Sequence, residues 1–157
     1  MKKYLGTIAL NALKICGASW VGYLVSFIPL YVMRGYQASP ITQEIARSII
    51  VCVSAMIALF SFFTWQGRTS EGKQFSVKEL ILVSAAPVPV WALVGCAFGG
   101  DSAFILTAVA HTCSAVTGID PVDYKFFTPF PFALLYGFFY AIAIFLGYWY
   151  GRKHQKW

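Results

Sequence analysis

The stretch LILVSAAPVPVWALVGCAF, residues Leu80–Phe98, contains no charged side chain. A helix needs about 20 mainly apolar residues to cross the hydrocarbon core of a bilayer, and this stretch has that length. Pro87 and Pro89 lie near its middle, and each proline removes a backbone donor and clashes with the preceding turn. The stretch therefore predicts a membrane-spanning helix that is kinked or broken at its centre.

The composition of the whole chain agrees with this interpretation. Of its 157 residues, 59% are hydrophobic and 11% are charged, and the mean hydropathy is +0.67. Soluble domains carry about 25% charged residues, and a soluble core could not absorb this much apolar surface without leaving a large exposed patch. We therefore interpret residues 1–157 as a single membrane domain with an all-α fold.

Four apolar runs are long enough to span a membrane, at about residues 15–33, 45–65, 80–98 and 130–150. A fifth run, at about residues 102–117, is shorter and carries His111. Its polar residues recur at helical spacing and share one face, which is typical of an amphipathic helix. The predicted fold is an integral membrane bundle of four transmembrane helices, with a short external or re-entrant amphipathic helix between spans 3 and 4.

The basic residues favour four crossings over five. With the N-terminus inside and four crossings, nine of the twelve basic residues lie inside, and Arg34, Arg47 and Lys125 lie outside. A fifth crossing through residues 102–117 moves the basic C-terminal tail outside and changes the division to seven against five. Because basic residues concentrate on the cytoplasmic side, we predict a multi-pass plasma-membrane protein with cytoplasmic N- and C-termini. The basic residues lie at the ends of apolar runs rather than in one stripe, so no nucleic-acid partner is expected.

Several helix ends have recognisable signals. Ser39 followed by Pro40 is typical of an N-cap with proline at the first helical position. Ser76 with Glu79 forms a capping-box pattern just before the third span. Near the N-terminus, Asn11 and Lys14 belong to a polar stripe at helical spacing. That stripe fits either an interfacial helix or the wet end of a long first span.

Candidate ligand-binding residues come from the interrupted third span, the aromatic fourth span and the short external helix. A broken helix exposes carbonyl groups that a ligand can contact, and mid-span aromatic rings can stack on a flat or apolar solute. Each feature also has an alternative interpretation. The alternative for the prolines is only a kink, whose free groups are satisfied by neighbouring helices or by Ser84. The alternative for the aromatic side chains is packing, and that for the histidine is contact with interfacial water. The candidate ligand-binding residues are Pro87, Pro89, Trp91, His111, Tyr136 and Tyr140.

Small residues at a spacing of four predict close helix packing. Ala18, Gly22 and Ser26 form such a ridge in the first span, and Gly147 and Gly151 form a weaker pair in the fourth. The partner of the first ridge is either another helix of this chain or a second subunit.

The sequence offers little for chemistry. The centres of the four spans carry no charged residue, which argues against a proton-coupled pump. The four cysteines form no CxxC motif and no zinc spacing; free thiols are expected, and a disulfide on the outer side is the alternative. We expect no catalytic residue, no metal site and no cofactor. His111 with a nearby aspartate would be the residues of an enzyme acting on lipid at the outer interface, which is the least favoured hypothesis.

The function predicted from these features is that of a non-enzymatic binding or accessory component of a membrane complex. The alternative is a transporter, or the substrate-binding subunit of one, for an uncharged or aromatic small solute. The expected partners are membrane lipids, together with another membrane subunit or a second copy of the chain, or an uncharged small molecule under the alternative.

Overall fold

A computed structural model of the chain describes residues 4–36, 39–69, 75–97, 109, 116 and 130–154. The described residues form five α-helices, apart from the helical residues Val109 and Val116, and no strand occurs among them. In chain order the helices are α1 (Leu5–Gly35), α2 (Pro40–Gly67), α3 (Val77–Ala85), α4 (Pro87–Ala97) and α5 (Phe130–Lys153).

The predicted all-α bundle of four spans is confirmed. The helices α1, α2 and α5 are each long and apolar enough to cross a membrane, and so is the continuous run of α3 and α4, which together we call the third span. Large apolar side chains lie exposed on the outside of the helices, for example Leu13, Ile28 and Phe138. In a soluble protein this surface would cause aggregation, whereas in a bilayer it faces lipid chains. The chain is therefore a multi-pass membrane protein.

The four spans pack in a ring. The helix α2 packs against α1 and α5, and the third span packs against the same two helices on the opposite side. Lys14 near the start of α1 donates to Gln66 at the end of α2, and Arg152 near the end of α5 donates to the Phe75 carbonyl before α3. Neighbouring spans are therefore antiparallel. The beginning of α1 and the end of α5 lie at the same end of the bundle, which we call the terminal end; the other is the loop end.

The helix α4 ends and α5 begins at the loop end, because α5 runs antiparallel to the third span. The predicted external or re-entrant helix at 102–117 lies outside the described residues, apart from Val109 and Val116. Both are helical; Val109 is fully buried, and Val116 is exposed.

The first helix is longer than the sequence suggested, since α1 begins at Leu5 rather than near residue 15. Its early residues do not form a separate interfacial helix. Asn11 from the polar stripe is fully buried, so the stripe faces the interior of the bundle. The polar stripe is therefore part of a long first span.

The start of the third span is fixed to α1 by one carboxylate. The predicted capping box is present, with the Ser76 amide donating to Glu79 at 2.7 Å and the Glu79 amide donating to the Ser76 hydroxyl at 3.3 Å. The second oxygen of Glu79 accepts a hydrogen bond from the Tyr4 hydroxyl. This hydrogen bond, with smaller contributions from burial and the Glu79 charge, raises the pKa of Tyr4.

Glycines bring α2 and α5 into backbone contact at the terminal end. A Cβ atom at Gly147 would lie 2.7 Å from the Phe60 carbonyl oxygen, and one at Gly67 would lie 2.7 Å from the Tyr148 carbonyl oxygen. A Cβ atom at Gly151 would meet the Thr64 carbonyl. Because helices in lipid associate through close packing rather than through the hydrophobic effect, this interface depends on the absence of side chains at these positions.

Gly147→Ala is expected to destabilise the bundle by about 1–3 kcal/mol, because the added methyl group meets backbone atoms that cannot move aside. Gly17→Ala is the matched control, since a Cβ atom there has no neighbour within 4 Å. Alanine at position 17 should be neutral or stabilising by up to about 1 kcal/mol through its better helix propensity. Thermal unfolding of both variants in one detergent measures the difference. Equal effects would contradict the proposed backbone contact.

Candidate functional site

The two prolines interrupt the hydrogen-bond ladder of the third span without unwinding it. The helix α3 ends at Ala85, and α4 begins at Pro87. Ala86 between them keeps right-handed helical dihedrals, with φ −63° and ψ −28°. Pro87 and Pro89 thus occupy the first turn of α4, where helix amides have no partner within the helix. The groups that lose a hydrogen-bond donor at the interruption are therefore carbonyl groups of the preceding turn.

Asn11 compensates for the amide that Pro87 lacks. In a continuous helix the amide of residue 87 would donate to the carbonyl of Val83, four residues earlier. Proline cannot do so, and the Val83 carbonyl instead accepts a hydrogen bond from the Asn11 side-chain amide at 3.0 Å. Both Asn11 and Val83 are fully buried. A neighbouring helix thus satisfies the Val83 carbonyl. This agrees with the interpretation in which the prolines cause a kink and neighbouring helices bond to the groups it frees.

The same asparagine connects the third span to α2. Its side-chain oxygen accepts a hydrogen bond from Lys14 Nζ at 3.3 Å, and Lys14 also donates to Gln66 at 3.0 Å. The ammonium group lies 4.8 Å from the centre of the Phe62 ring and 5.0 Å from that of Phe63. A cation over aromatic faces gains electrostatic stabilisation, so the Lys14 charge is held by α1 and α2 together.

A lipid-facing cleft of about 380 Å³ lies beside the interruption. We call it the α3–α5 cleft, and its walls are apolar except for one hydroxyl. That hydroxyl belongs to Ser84, which is 2% exposed and has no hydrogen-bond partner among the described residues. The residues that line the cleft are Ile81, Ser84, Ala85, Phe138, Ala141, Ile142, Phe145 and Leu146.

The predicted ligand-binding residues lie in different surroundings. The rings of Trp91 and Tyr140 pack edge to face at 5.4 Å between centres, and each side chain is 1% exposed. Tyr136 shares a hydrogen bond of 2.7 Å with the Ser48 hydroxyl of α2. Pro87 is buried and Pro89 is exposed. The structure therefore brings Trp91 and Tyr140 together, while His111 lies outside the described residues.

The small residues of the first span lie against α2. A Cβ atom at Gly22 would be 2.5 Å from the Val51 carbonyl oxygen, and Ala18 and Ser26 are buried. The Ser26 hydroxyl donates to the Tyr23 carbonyl of its own helix at 2.6 Å. The partner on the Gly22 face is thus a helix of this chain.

The sequence identifies Arg47 only as a topology signal, whereas the structure places this residue in a second cleft. Its guanidinium carbon lies 5.1 Å from the centre of the Tyr23 ring and 5.5 Å from that of Phe27. The cleft has a volume of about 410 Å³ and is lined by Phe27, Ile28, Leu30, Tyr31, Val32 and Arg47; we call it the α1–α2 cleft. The spacing of Tyr23 and Phe27, one turn apart, was a visible signal. The sequence does not show which helix faces these two rings.

Within the described part of the chain, no group of three or more His, Cys, Asp or Glu side chains is placed to hold a metal ion. Cys16, Cys52 and Cys96 are free thiols, and Cys113 lies outside the described residues.

Asn11→Leu is expected to destabilise the protein by about 1–3 kcal/mol, because it leaves the buried Val83 carbonyl without a donor. Pro87→Ala restores an amide that can reach this carbonyl, so Asn11→Leu should cost less in that background. Pro89→Ala is the matched control, because its amide would donate to the Ala85 carbonyl instead. Unfolding free energies of the single and double variants in detergent give the coupling. Equal coupling of Asn11→Leu to both proline substitutions would contradict this assignment.

The chain matches no protein-family model, no curated protein and no solved structure. A functional conclusion therefore depends on the residues themselves and on their geometry.

Proposed function

We propose that the protein is a non-enzymatic accessory subunit of a membrane complex, and that a transmembrane helix of its partner docks in the α3–α5 cleft. The observation that carries the proposal is the Ser84 hydroxyl, which is buried at this cleft without a hydrogen-bond partner among the described residues. Lipid chains cannot satisfy a hydroxyl group, and unsatisfied polar groups in hydrocarbon are costly. A partner helix with a polar side chain would supply the missing hydrogen bond once the Ser84 side chain rotates toward the cleft.

The shape of the cleft supports a helix as its occupant. Ser84, Ala85 and Ala141 are small residues, and small residues let two helix backbones approach closely in lipid. On α5 the lining residues extend from Phe138 to Leu146, which corresponds to about 12 Å, or just over two helical turns. This is enough to receive the side chains of two turns of a partner helix.

The packing of the bundle interior gives more support to a binding subunit than to a solute transporter. A solute site was expected around Trp91 and Tyr140, but these two rings contact each other and are almost fully buried. Ile15 and Leu59, from the two other sides of the ring of helices, are also buried in the same core. The described core is filled by side chains of the chain itself.

We also propose that the protein lies in a plasma membrane with cytoplasmic termini, and the distribution of charge supports this orientation. Among the described basic residues, five lie at the terminal end, whereas Arg34 near the end of α1 and Arg47 in the first half of α2 lie nearer the loop end. Basic residues concentrate on the cytoplasmic side of membrane proteins, so we expect the terminal end to face the cytoplasm. The five residues at the terminal end are Lys14, Arg68, Lys78, Arg152 and Lys153.

Site-specific photocrosslinking in native membranes tests the docking site. A photoreactive amino acid at Ile142, inside the cleft, should form one discrete protein adduct, whereas the same group at the lipid-exposed Leu13 of α1 should not. Ala85→Leu fills the cleft and should reduce the adduct by at least about fivefold, since a single added side chain in a helix interface costs about 1 kcal/mol or more. Mass spectrometry then identifies the adduct as another protein or as a second copy of this chain.

Ala9→Leu is the matched control for Ala85→Leu, because Ala9 is exposed on α1 and lines neither cleft. It should leave the Ile142 adduct unchanged. Equal crosslinking from Ile142 and Leu13 would contradict the proposed function. An adduct whose yield is unchanged by Ala85→Leu would contradict it as well.

A further inference from the structure

The α1–α2 cleft combines an apolar wall with a cation. Phe27, Ile28 and Tyr31 form its wall, and Arg47 is the one charged residue among the described side chains that line it. Glu44, one turn earlier on α2, does not line the cleft. The Nε atom of Arg47 is buried and has no hydrogen-bond partner among the described residues. A partly buried guanidinium in an apolar cleft is complementary to an anion attached to hydrocarbon.

The guanidinium is already held in one place. It lies beside the Tyr23 and Phe27 rings, which contact each other edge to face at 4.9 Å. Arginine presents a planar set of donors that matches phosphate oxygens. Lys14, at the other end of the bundle, differs in this respect, because its donors are engaged by Asn11 and Gln66.

The depth of Arg47 in the membrane fits a lipid headgroup. The 28 residues of α2 give a length of about 42 Å against a hydrocarbon thickness of about 30 Å, so about 6 Å of a centred helix extends beyond each side. The Cα atom of Arg47 lies about 10 Å from the start of α2, which is only about 4 Å inside the hydrocarbon.

We propose that the α1–α2 cleft binds an anionic phospholipid of the leaflet at the loop end. Arg47 donates hydrogen bonds to the phosphate group, and one acyl chain lies along Phe27, Ile28 and Tyr31. The phosphate thereby pairs with a cation that otherwise lies beside hydrocarbon. This site shares no lining residue with the α3–α5 cleft, so it goes beyond the proposed partner docking and can be tested separately.

Native mass spectrometry of the detergent-solubilised protein tests the proposal. Phosphatidylglycerol and phosphatidylcholine with identical acyl chains are titrated onto the full chain. We expect about tenfold tighter binding of one phosphatidylglycerol, because the phosphate of phosphatidylcholine is neutralised by its own choline. Arg47→Gln should abolish this preference, and Arg47→Lys should keep part of it because it retains a point charge. Arg68→Gln, an exposed arginine at the terminal end, is the control and should keep the full preference.

A further substitution and a competition experiment also test the proposal. Ile28→Trp fills the lipid-exposed wall of the cleft and should weaken phosphatidylglycerol binding even if Arg47→Gln fails to fold. Inorganic phosphate added as a competitor should not displace the lipid. Four results would each overturn the assignment of an anionic lipid to this cleft. Two concern the lipid and the arginines: equal binding of the two lipids, or an equal loss in Arg47→Gln and Arg68→Gln. The other two are unchanged binding in Ile28→Trp and displacement of the lipid by inorganic phosphate.

Discussion

The hydrogen bond from Asn11 to the Val83 carbonyl is the interaction on which the arrangement of the spans depends. A proline in a membrane helix leaves a carbonyl that neither water nor lipid can satisfy at that depth. Here the donor comes from another span, so the interruption at Pro87 is stable only when α1 and the third span are packed in one register. The proline thus acts as a constraint on tertiary structure as well as on the local backbone.

That register has consequences along the length of α1. Because Asn11 must face the third span, Lys14, almost one turn later, faces toward α2 and reaches Gln66. Ile15 then lies fully buried in the core, and Gly22 lies against Val51 two turns further on. A polar contact near one end and a close backbone contact near the other therefore fix the same helix face. This is why the polar beginning of α1 continues the span and does not form a separate helix at the interface.

Features set by local sequence could be predicted, while those set by contacts between helices could not. The four spans follow from apolar length, and the capping box at Ser76 follows from hydrogen bonds within four residues. The interruption at Pro87 follows from the missing amide. The donor for Val83 lies 72 positions away, however, and no periodicity identifies it. Arg47 was recognisable as a charge near a helix start, but its position beside Tyr23 depends on the packing of α1 against α2.

Four polar side chains near the interior differ in their surroundings, and this difference is the basis of the two proposed binding sites. Asn11 and Tyr136 have partners on other helices of the chain, so their polarity serves the fold. Ser84 and Arg47 instead belong to clefts on the lipid side, where the described chain offers the Ser84 hydroxyl and the Arg47 Nε no acceptor or donor. An unpaired buried polar group costs free energy in any membrane protein, and the proposed partner helix and the proposed lipid would each lower that cost. A hydroxyl beside small residues suits another helix, and a cation beside aromatic rings suits a phosphate headgroup.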